Sequence, residues 1–262
     1  LVGLIFDLIA NGTQKLALGL GLSLSLLYLS LSPYMVFAQK QEAQNGLTQT
    51  HSDAFADSCL AQEIKGMACI PKGSFIRGSE AERTCMQGEV KRLPKDKPNH
   101  RPVAKIDMPT YYMDISEVTY SAYQACVRRK KCPKRKPAYS DFSAAQQPMV
   151  GLSWYEAFTY CKAMGKHLPT EAEWEKAARG PEGELYPWGN EEPDCNKAVI
   201  KDKSGRSCGV KKRFSYHDKG KVLPVKSRPA GRYGLYDMIG NAEEWTADWY
   251  TRDYEVCGAD CS

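Results

Sequence analysis

The sequence lacks several patterns that would point directly to a particular chemistry. It contains no C-x-x-C pair and its four histidines lie far apart, so a zinc site is not expected. It has no glycine-rich phosphate-binding loop. Its net charge of +5 is a mild excess, below that of a dedicated nucleic-acid-binding protein, so no nucleic-acid partner is expected.

Residues 16–38 contain no charged side chain, and Lys15 precedes them. Val36 and Ala38 supply the pair of small residues that precedes the cleavage site of a secretory signal peptide. The alternative is an uncleaved membrane anchor, because the stretch is long enough to span a bilayer. Residues 39–65 are polar and are predicted to form a flexible linker to a folded domain over 66–262. Both alternatives predict an extracytoplasmic protein, either periplasmic or secreted, and the second leaves it anchored to the membrane by residues 16–38.

The number of cysteines is consistent with an exported protein. There are ten of them, and an even count in an exported chain argues for disulfide bonds. The sequence does not fix the connectivity, but near pairs would each pin a local loop. Those near pairs are Cys126–Cys132, Cys195–Cys208 and Cys257–Cys261.

Local sequence signals predict two helices. In 153–166 an S-x-x-E capping box opens a segment whose Trp154, Phe158 and Cys161 fall on one face. In 169–180 a T-x-x-E box repeats the device, and a weaker helix is predicted over 119–129. Short apolar stretches between glycines and prolines predict strands near residues 66–80 and 103–119. The sequence therefore predicts an α+β fold with much irregular structure, stapled by disulfides, in which Cys161 is an inert core thiol.

The stretch RRKKCPKRK, residues 128–136, has seven basic residues in nine positions. One interpretation is an anion-binding patch for acidic sugars, lipid head groups or nucleic acid. The favoured one is a solvated loop, stiffened by a disulfide between Cys126 and Cys132, because no aromatic side chain in the stretch could stack on a base.

Several long composite segments occur between residues 66 and 250. In chain order they read MACIPKGSFIRGS, SEVTYSAY, PMVGLSWYEAFTYCKAMGKHLPTEAEWEKAARG, YPWGN, PVKSRPAGRYGLYDMIGNAEEW and ADWY. They resemble, in the same order, the formylglycine-generating enzyme family, also known as the sulfatase-modifying factor domain. The resemblance implies an irregular fold related to C-type lectins. It also implies an activity, the oxidation of a cysteine in exported sulfatases to Cα-formylglycine, with copper bound by two cysteines and calcium as a structural metal.

The chain also departs from that family. The family's paired active cysteines follow an R-G-G-S-W segment that has no counterpart before Ser262, so no catalytic residue is assigned. Copper is expected only if a further C-terminal segment supplies the cysteines. Two hypotheses follow. One is an exported formylglycine-generating-type enzyme acting on a sulfatase or another protein or peptide. The other is a non-catalytic, calcium-stabilised binding or scaffolding module on the same fold.

The segment LYDMIGNAEEW, residues 235–245, combines apolar residues with several oxygen ligands. A turn at its Gly-Asn pair can gather carboxylates and backbone carbonyls, which calcium prefers. The spacing alone is also typical of an ordinary turn with solvated acids. The resemblance implies calcium here, with ligands at the matching positions Asp237, Gly240, Ala242 and Glu244.

Overall fold

A computed structural model describes residues 5–6, 59, 63–79, 102–202, 206–210 and 220–250. The chain divides into two compact units, residues 1–7 with 63–262 and residues 8–62, and the fold below is that of the first. No helix within the described ranges is long and apolar enough to cross a membrane. Residues 16–38, with the predicted signal peptide or anchor, lie outside those ranges, as do nearly all of the predicted linker and the Cys257–Cys261 pair.

The unit contains two small antiparallel sheets. The first has three strands in the order β1 (Ile5–Phe6), β5 (Tyr111–Asp114) and β2 (Met67–Ile70). The second pairs β3 (Gly73–Arg77) with β4 (Ala104–Met108). In β2 the buried residues alternate, as expected of a strand with one covered face. In β5 three consecutive residues are buried, so both faces of this central strand are covered.

Three helices follow, α1 (Tyr120–Arg128), α2 (Trp154–Ala163) and α3 (Glu171–Arg179). The helix predictions over 119–129, 153–166 and 169–180 are confirmed, with ends shifted by one to three residues. At α3 the capping box is complete: Thr170 Oγ1 accepts from the Glu173 N–H at 3.2 Å, and Glu173 Oε2 accepts from the Thr170 N–H at 2.8 Å. These bonds satisfy N–H groups that the helix itself leaves without partners.

The predicted inner face of α2 is wrong at one position. Phe158 is 40% exposed and stacks on the half-buried Trp154, with ring centroids 5.1 Å apart. Cys161 is buried as predicted, together with Glu156, Ala157 and Tyr160, so the buried face is rotated from the predicted one. The capping signal located the helix correctly, but aromatic size was a poor guide to which side faces the core.

Two apolar clusters form the core. One joins α1 to α2 around Tyr123, whose ring stacks on Tyr160 at a centroid distance of 5.7 Å. The other joins the first sheet to α3 and to residues 233–238, with Ile70 and Tyr111 almost wholly buried. Burying each such side chain contributes about 1.5–3 kcal/mol. The Lys176 ammonium group, itself buried, donates to the carbonyls of Pro71 at 2.7 Å and Gly73 at 2.9 Å, which ties α3 to the β2–β3 connection.

After α3 the described residues contain no helix and no strand beyond isolated bridges. The mixture of three helices, two small sheets and long irregular segments is the α+β architecture that the sequence predicts. Disulfides join Cys126 to Cys132 and Cys195 to Cys208, each with a Cα–Cα distance of 5.4 Å. These are two of the three near pairs favoured by the sequence, and Cys59 and Cys69 are each disulfide-bonded as well.

Candidate functional site

The segment 235–245 forms a tight turn of unusual backbone conformation. Asp237, Gly240 and Asn241 all have positive φ, at 58°, 82° and 53°. Gly240 forms a parallel bridge with Val199, and a Cβ at this glycine would lie 2.3 Å from the Val199 carbonyl oxygen. The next residue, Asn241, donates its N–H to that same carbonyl at 2.8 Å. Glycine is therefore required twice over at position 240, by its φ angle and by the close approach of another backbone.

Asn241 fastens this turn to two distant parts of the chain. Its side-chain oxygen accepts from the Leu223 N–H at 2.9 Å, and its amide nitrogen donates to the Leu223 carbonyl at 3.3 Å. The same nitrogen donates to Glu117 Oε1 at 3.0 Å. From the sequence, Asn241 is expected only to be a turn residue. Its side-chain amide bonds to both the N–H and the carbonyl of Leu223, as a neighbouring strand would. The two partners, Leu223 and Glu117, lie 18 and 124 residues away in the sequence.

Three carboxyl groups meet behind the turn, and one of them was not predicted. Glu117, which follows β5, is only 3% exposed, and its Oε2 atom has no hydrogen-bond partner. Burial, and then the charges of Asp237 and Glu244, raise the pKa of Glu117 to about 10. Nothing in its neighbours Ser116 and Val118 identifies its partners, so the sequence gives no signal for this role.

The two predicted carboxylate ligands each accept a hydrogen bond from another segment of the chain. Asp237 Oδ2 accepts from the Lys226 N–H at 2.7 Å, and Glu244 Oε2 accepts from the Trp174 indole at 2.6 Å. Burial raises the pKa of Asp237, and it raises the pKa of Glu244 to about 7 although the indole N–H opposes it. The structure thus brings Asp237, Glu244 and Glu117 into one group of interacting carboxyl side chains.

The two predicted backbone ligands lie at the tip of the same turn, where the Gly240 carbonyl accepts from the Ala242 N–H at 2.6 Å. In the ranges that the structure describes, no three side chains of His, Cys, Asp or Glu converge closely enough to hold a metal ion by themselves. A cation here would therefore need backbone carbonyls in addition to the carboxylates. The donors are all oxygens, which suits a hard cation such as calcium better than zinc or copper.

A groove of about 990 Å³ runs beside the turn. Four tryptophans line it, and three of them are held by their indole N–H groups. Trp174 donates to Glu244, Trp154 donates to the Thr246 carbonyl at 2.8 Å, and Trp245 donates to the Leu152 carbonyl at 3.0 Å. Trp249 is 89% exposed. Because these bonds cross between α2, α3 and the segment 244–246, the groove walls are fixed before any ligand enters.

The charge of this groove is of one sign. Five of its described lining residues are acidic and none is basic: Glu171, Asp237, Glu243, Glu244 and Asp248. The face combines large aromatic rings with carboxylates, which is the combination that attracts a cationic group, through both ion pairing and the negative faces of the rings.

The only free thiol among the described residues is Cys161. It is fully buried in the α1–α2 cluster, and burial, followed by the nearby Asp114, raises its pKa far above the ordinary value. A thiol in this environment is a packing residue and not a nucleophile, as the sequence predicted.

The unit is an irregular, disulfide-bonded α+β domain. Its aromatic groove and oxygen-rich turn are typical of a binding or catalytic domain. Residues 53–261 match the family described as the sulfatase-modifying factor enzyme 1-like domain, and the chain belongs to this family.

Three relatives illustrate the range of proteins that contain this domain. The chain is 33% identical to serine/threonine-protein kinase Pkn1 of Chlamydia trachomatis, over 74% of this chain and 30% of the relative. It is 38% identical to the formylglycine-generating enzyme of Thermomonospora curvata, over 46% of this chain and 39% of the relative. It is 44% identical to the inactive Cα-formylglycine-generating enzyme 2 of Bos taurus, over 39% of this chain and 33% of the relative. The chain thus spans less than half the length of each.

A solved structure gives independent support for the fold. The structure of PvdO from Pseudomonas aeruginosa superposes with a TM-score of 0.53 at 22% identity, covering 75% of both chains. At this identity the likeness concerns the arrangement of the backbone alone.

Proposed function

We propose that the chain is an exported, formylglycine-generating-enzyme-like protein that receives a polypeptide in the aromatic groove. The observation that supports this most is the fixed groove wall, in which three indoles are oriented by hydrogen bonds from separate elements. An extended peptide needs a long open groove of this kind, with aromatic surface for its side chains. The family activity, oxidation of a sulfatase cysteine to Cα-formylglycine, also requires that a peptide be held.

The charge of the groove indicates which class of peptide it would bind. Apart from Asp237 and Glu244, which are the calcium ligands proposed below, the described lining has three acidic residues and no basic one, so the groove favours a peptide carrying arginine or lysine near an apolar residue. The two disulfides support the exported location, because such bonds persist mainly in oxidising compartments.

Calcium is part of the proposal. It would be held by Asp237 and Glu244 with the carbonyls of Gly240 and Ala242, and its charge would compensate the carboxylates gathered behind the turn. The fit rests on the buried Glu117 Oε2 atom, which has no hydrogen-bond donor. Clustered carboxylates of this kind need either a proton or a cation. The calcium would fix the turn that carries Glu244, and Glu244 in turn fixes the Trp174 indole on the groove wall.

The alternative is a non-catalytic, calcium-stabilised binding or scaffolding module. It is favoured by the state of Cys161, which is too deeply buried to take part in thiol chemistry. The relatives include both a formylglycine-generating enzyme and an inactive Cα-formylglycine-generating enzyme 2, so the likeness is compatible with either function. Copper chemistry would depend on cysteines outside the described ranges, and no step is assigned to the residues of this site.

Peptide binding tests the shared part of both functions. A fluorescently labelled cysteine peptide with the sulfatase sequence pattern and one arginine is expected to bind the full chain, measured by anisotropy. Trp245→Ala is expected to weaken this binding at least tenfold, while Trp188→Ala, a tryptophan outside the groove, is expected to leave it unchanged. Equal binding by both variants would contradict the assignment of the groove.

Conversion of the peptide separates the two functions. The full chain is incubated with copper, oxygen and the same peptide, and aldehyde formation is followed by mass spectrometry and hydrazide capture. Formation of the aldehyde supports the enzyme and refutes the non-catalytic module. Binding without any aldehyde, under conditions where a formylglycine-generating enzyme converts the peptide, supports the module.

A further inference from the structure

The positive charge of the chain is concentrated in one loop. Residues 128–136, here the basic loop, hold seven of the 36 basic residues and none of the 31 acidic ones. The remainder of the chain therefore has a net charge of −2, in contrast to the +5 of the whole. Such segregation produces a strong local field rather than a diffuse positive character.

The backbone of the basic loop is fixed. The Cys126–Cys132 disulfide closes residues 126–132 into a ring that contains four of the seven cations, and Lys130 takes the left-handed conformation at φ 58°. The N–H of Lys130 donates to the Val127 carbonyl at 2.9 Å, and the N–H of Lys131 donates to the Cys126 carbonyl at 3.2 Å. These four cations are thus held on a compact, preformed turn, where their like charges repel one another in the free protein.

Almost all of this charge is presented to solvent. Arg135 is paired with Glu156, whereas within the described ranges no acidic partner contacts the other six cations. All six are exposed: Arg128, Arg129, Lys130, Lys131, Lys134 and Lys136. The negative end of the α1 dipole favours cations in the last helical turn, and this explains Arg128 and Arg129. It does not explain the four lysines beyond them.

We propose that the basic loop docks the protein on an anionic phospholipid surface. Recognition of nucleic-acid bases would use aromatic platforms or amide and hydroxyl side chains, and residues 128–136 contain none of them. Four to eight clustered lysines and arginines match a layer of anionic head groups, which needs only charge density. The disulfide-closed turn keeps four of these cations within a short, fixed stretch of backbone, which raises the local density of positive charge.

The test measures binding of the full chain to sedimented vesicles, so that any contribution of residues 16–38 is present in every sample. Vesicles of phosphatidylglycerol mixed with phosphatidylcholine are compared with phosphatidylcholine alone. The wild type is expected to prefer the anionic vesicles, and the preference should fall as salt is raised. Replacing Lys130, Lys131, Lys134 and Lys136 by glutamine should reduce it by about fivefold for each charge removed.

A matched variant has the same net charge but leaves the loop intact. It replaces four exposed lysines elsewhere with glutamine: Lys65, Lys72, Lys105 and Lys162. This variant is expected to keep at least half of the wild-type preference. An equal loss in both variants would overturn the proposal in favour of general net charge. Binding to heparin without a preference for phosphatidylglycerol would overturn it in favour of a polysaccharide ligand. Unchanged unfolding temperatures of both variants serve as the folding check.

Discussion

Residues 119–180, the helical region, and residues 181–250, the loop region, are organised by different kinds of interaction. The helical region is defined by signals within a few residues, such as the Thr170–Glu173 capping box that opens α3. The loop region is held by single contacts between distant residues, such as Asn241 with Leu223 and Glu117. Regular structure distributes its stability over many repeated bonds, whereas an irregular segment concentrates it in a few.

The largest expected effect comes from one methyl group added in the loop region. Gly240→Ala is expected to destabilise the protein by at least about 3 kcal/mol, because a methyl group would collide with the Val199 carbonyl in addition to straining the backbone. The control is Gly165→Ala, at φ 72° with open space around it, which should cost about 1 kcal/mol. Urea unfolding measures both. Equal losses would show that the close approach to Val199 carries no weight.

Removal of the proposed calcium ion is expected to have the next largest effect. At a free calcium concentration of about 100 times Kd, binding stabilises the folded state by about 2.7 kcal/mol, so a chelator is expected to lower the unfolding temperature. Asp237→Ala should abolish this response. Glu243→Gln, in the same turn but not among the proposed ligands, should keep it. A wild-type melting curve that does not respond to chelator would refute a bound calcium ion.

A smaller effect is expected in the helical region. Thr170→Ala removes the side-chain acceptor of the Glu173 N–H and should cost about 1 kcal/mol. Thr159→Ala is the matched control, because its hydroxyl only donates back to the Tyr155 carbonyl within α2, and the change should be nearly neutral. Thermal unfolding distinguishes them. A cost at Thr170 as large as that of Gly240→Ala would remove the contrast between the two regions.

The smallest effect concerns Lys176 and pH. Burial lowers the pKa of this group to about 8, below its value in the unfolded chain, so the unfolded state binds more protons between pH 8 and 10. Stability contributed at this site should therefore rise with pH, by less than about 1 kcal/mol between pH 7 and 8.5. The measurement is the difference in unfolding free energy between wild type and Lys176→Met. A difference that falls over this range would contradict the buried ammonium.

This contrast also explains how much of the structure could be predicted from the sequence. The three helices and the short strands were predictable because capping residues, periodicity and glycine punctuation lie within each element. Asp237 and Glu244 were indicated only by likeness to a family. Glu117 and the second role of Asn241 were not predicted, since their importance arises from partners 18 to more than 120 residues away in the sequence. Phe158 was misplaced because the face that a helix buries is set by its neighbours and not by its own largest side chain.

The distribution of tryptophan has a practical consequence. Four of the five indoles line a single groove, while the fifth, Trp188, stacks on Tyr186 elsewhere. Ultraviolet emission from the unlabelled protein is therefore weighted towards one surface, with Trp188 as a nearly constant background. Quenching by iodide or acrylamide should report how much of that surface a bound molecule covers, so a screen for ligands needs no added dye.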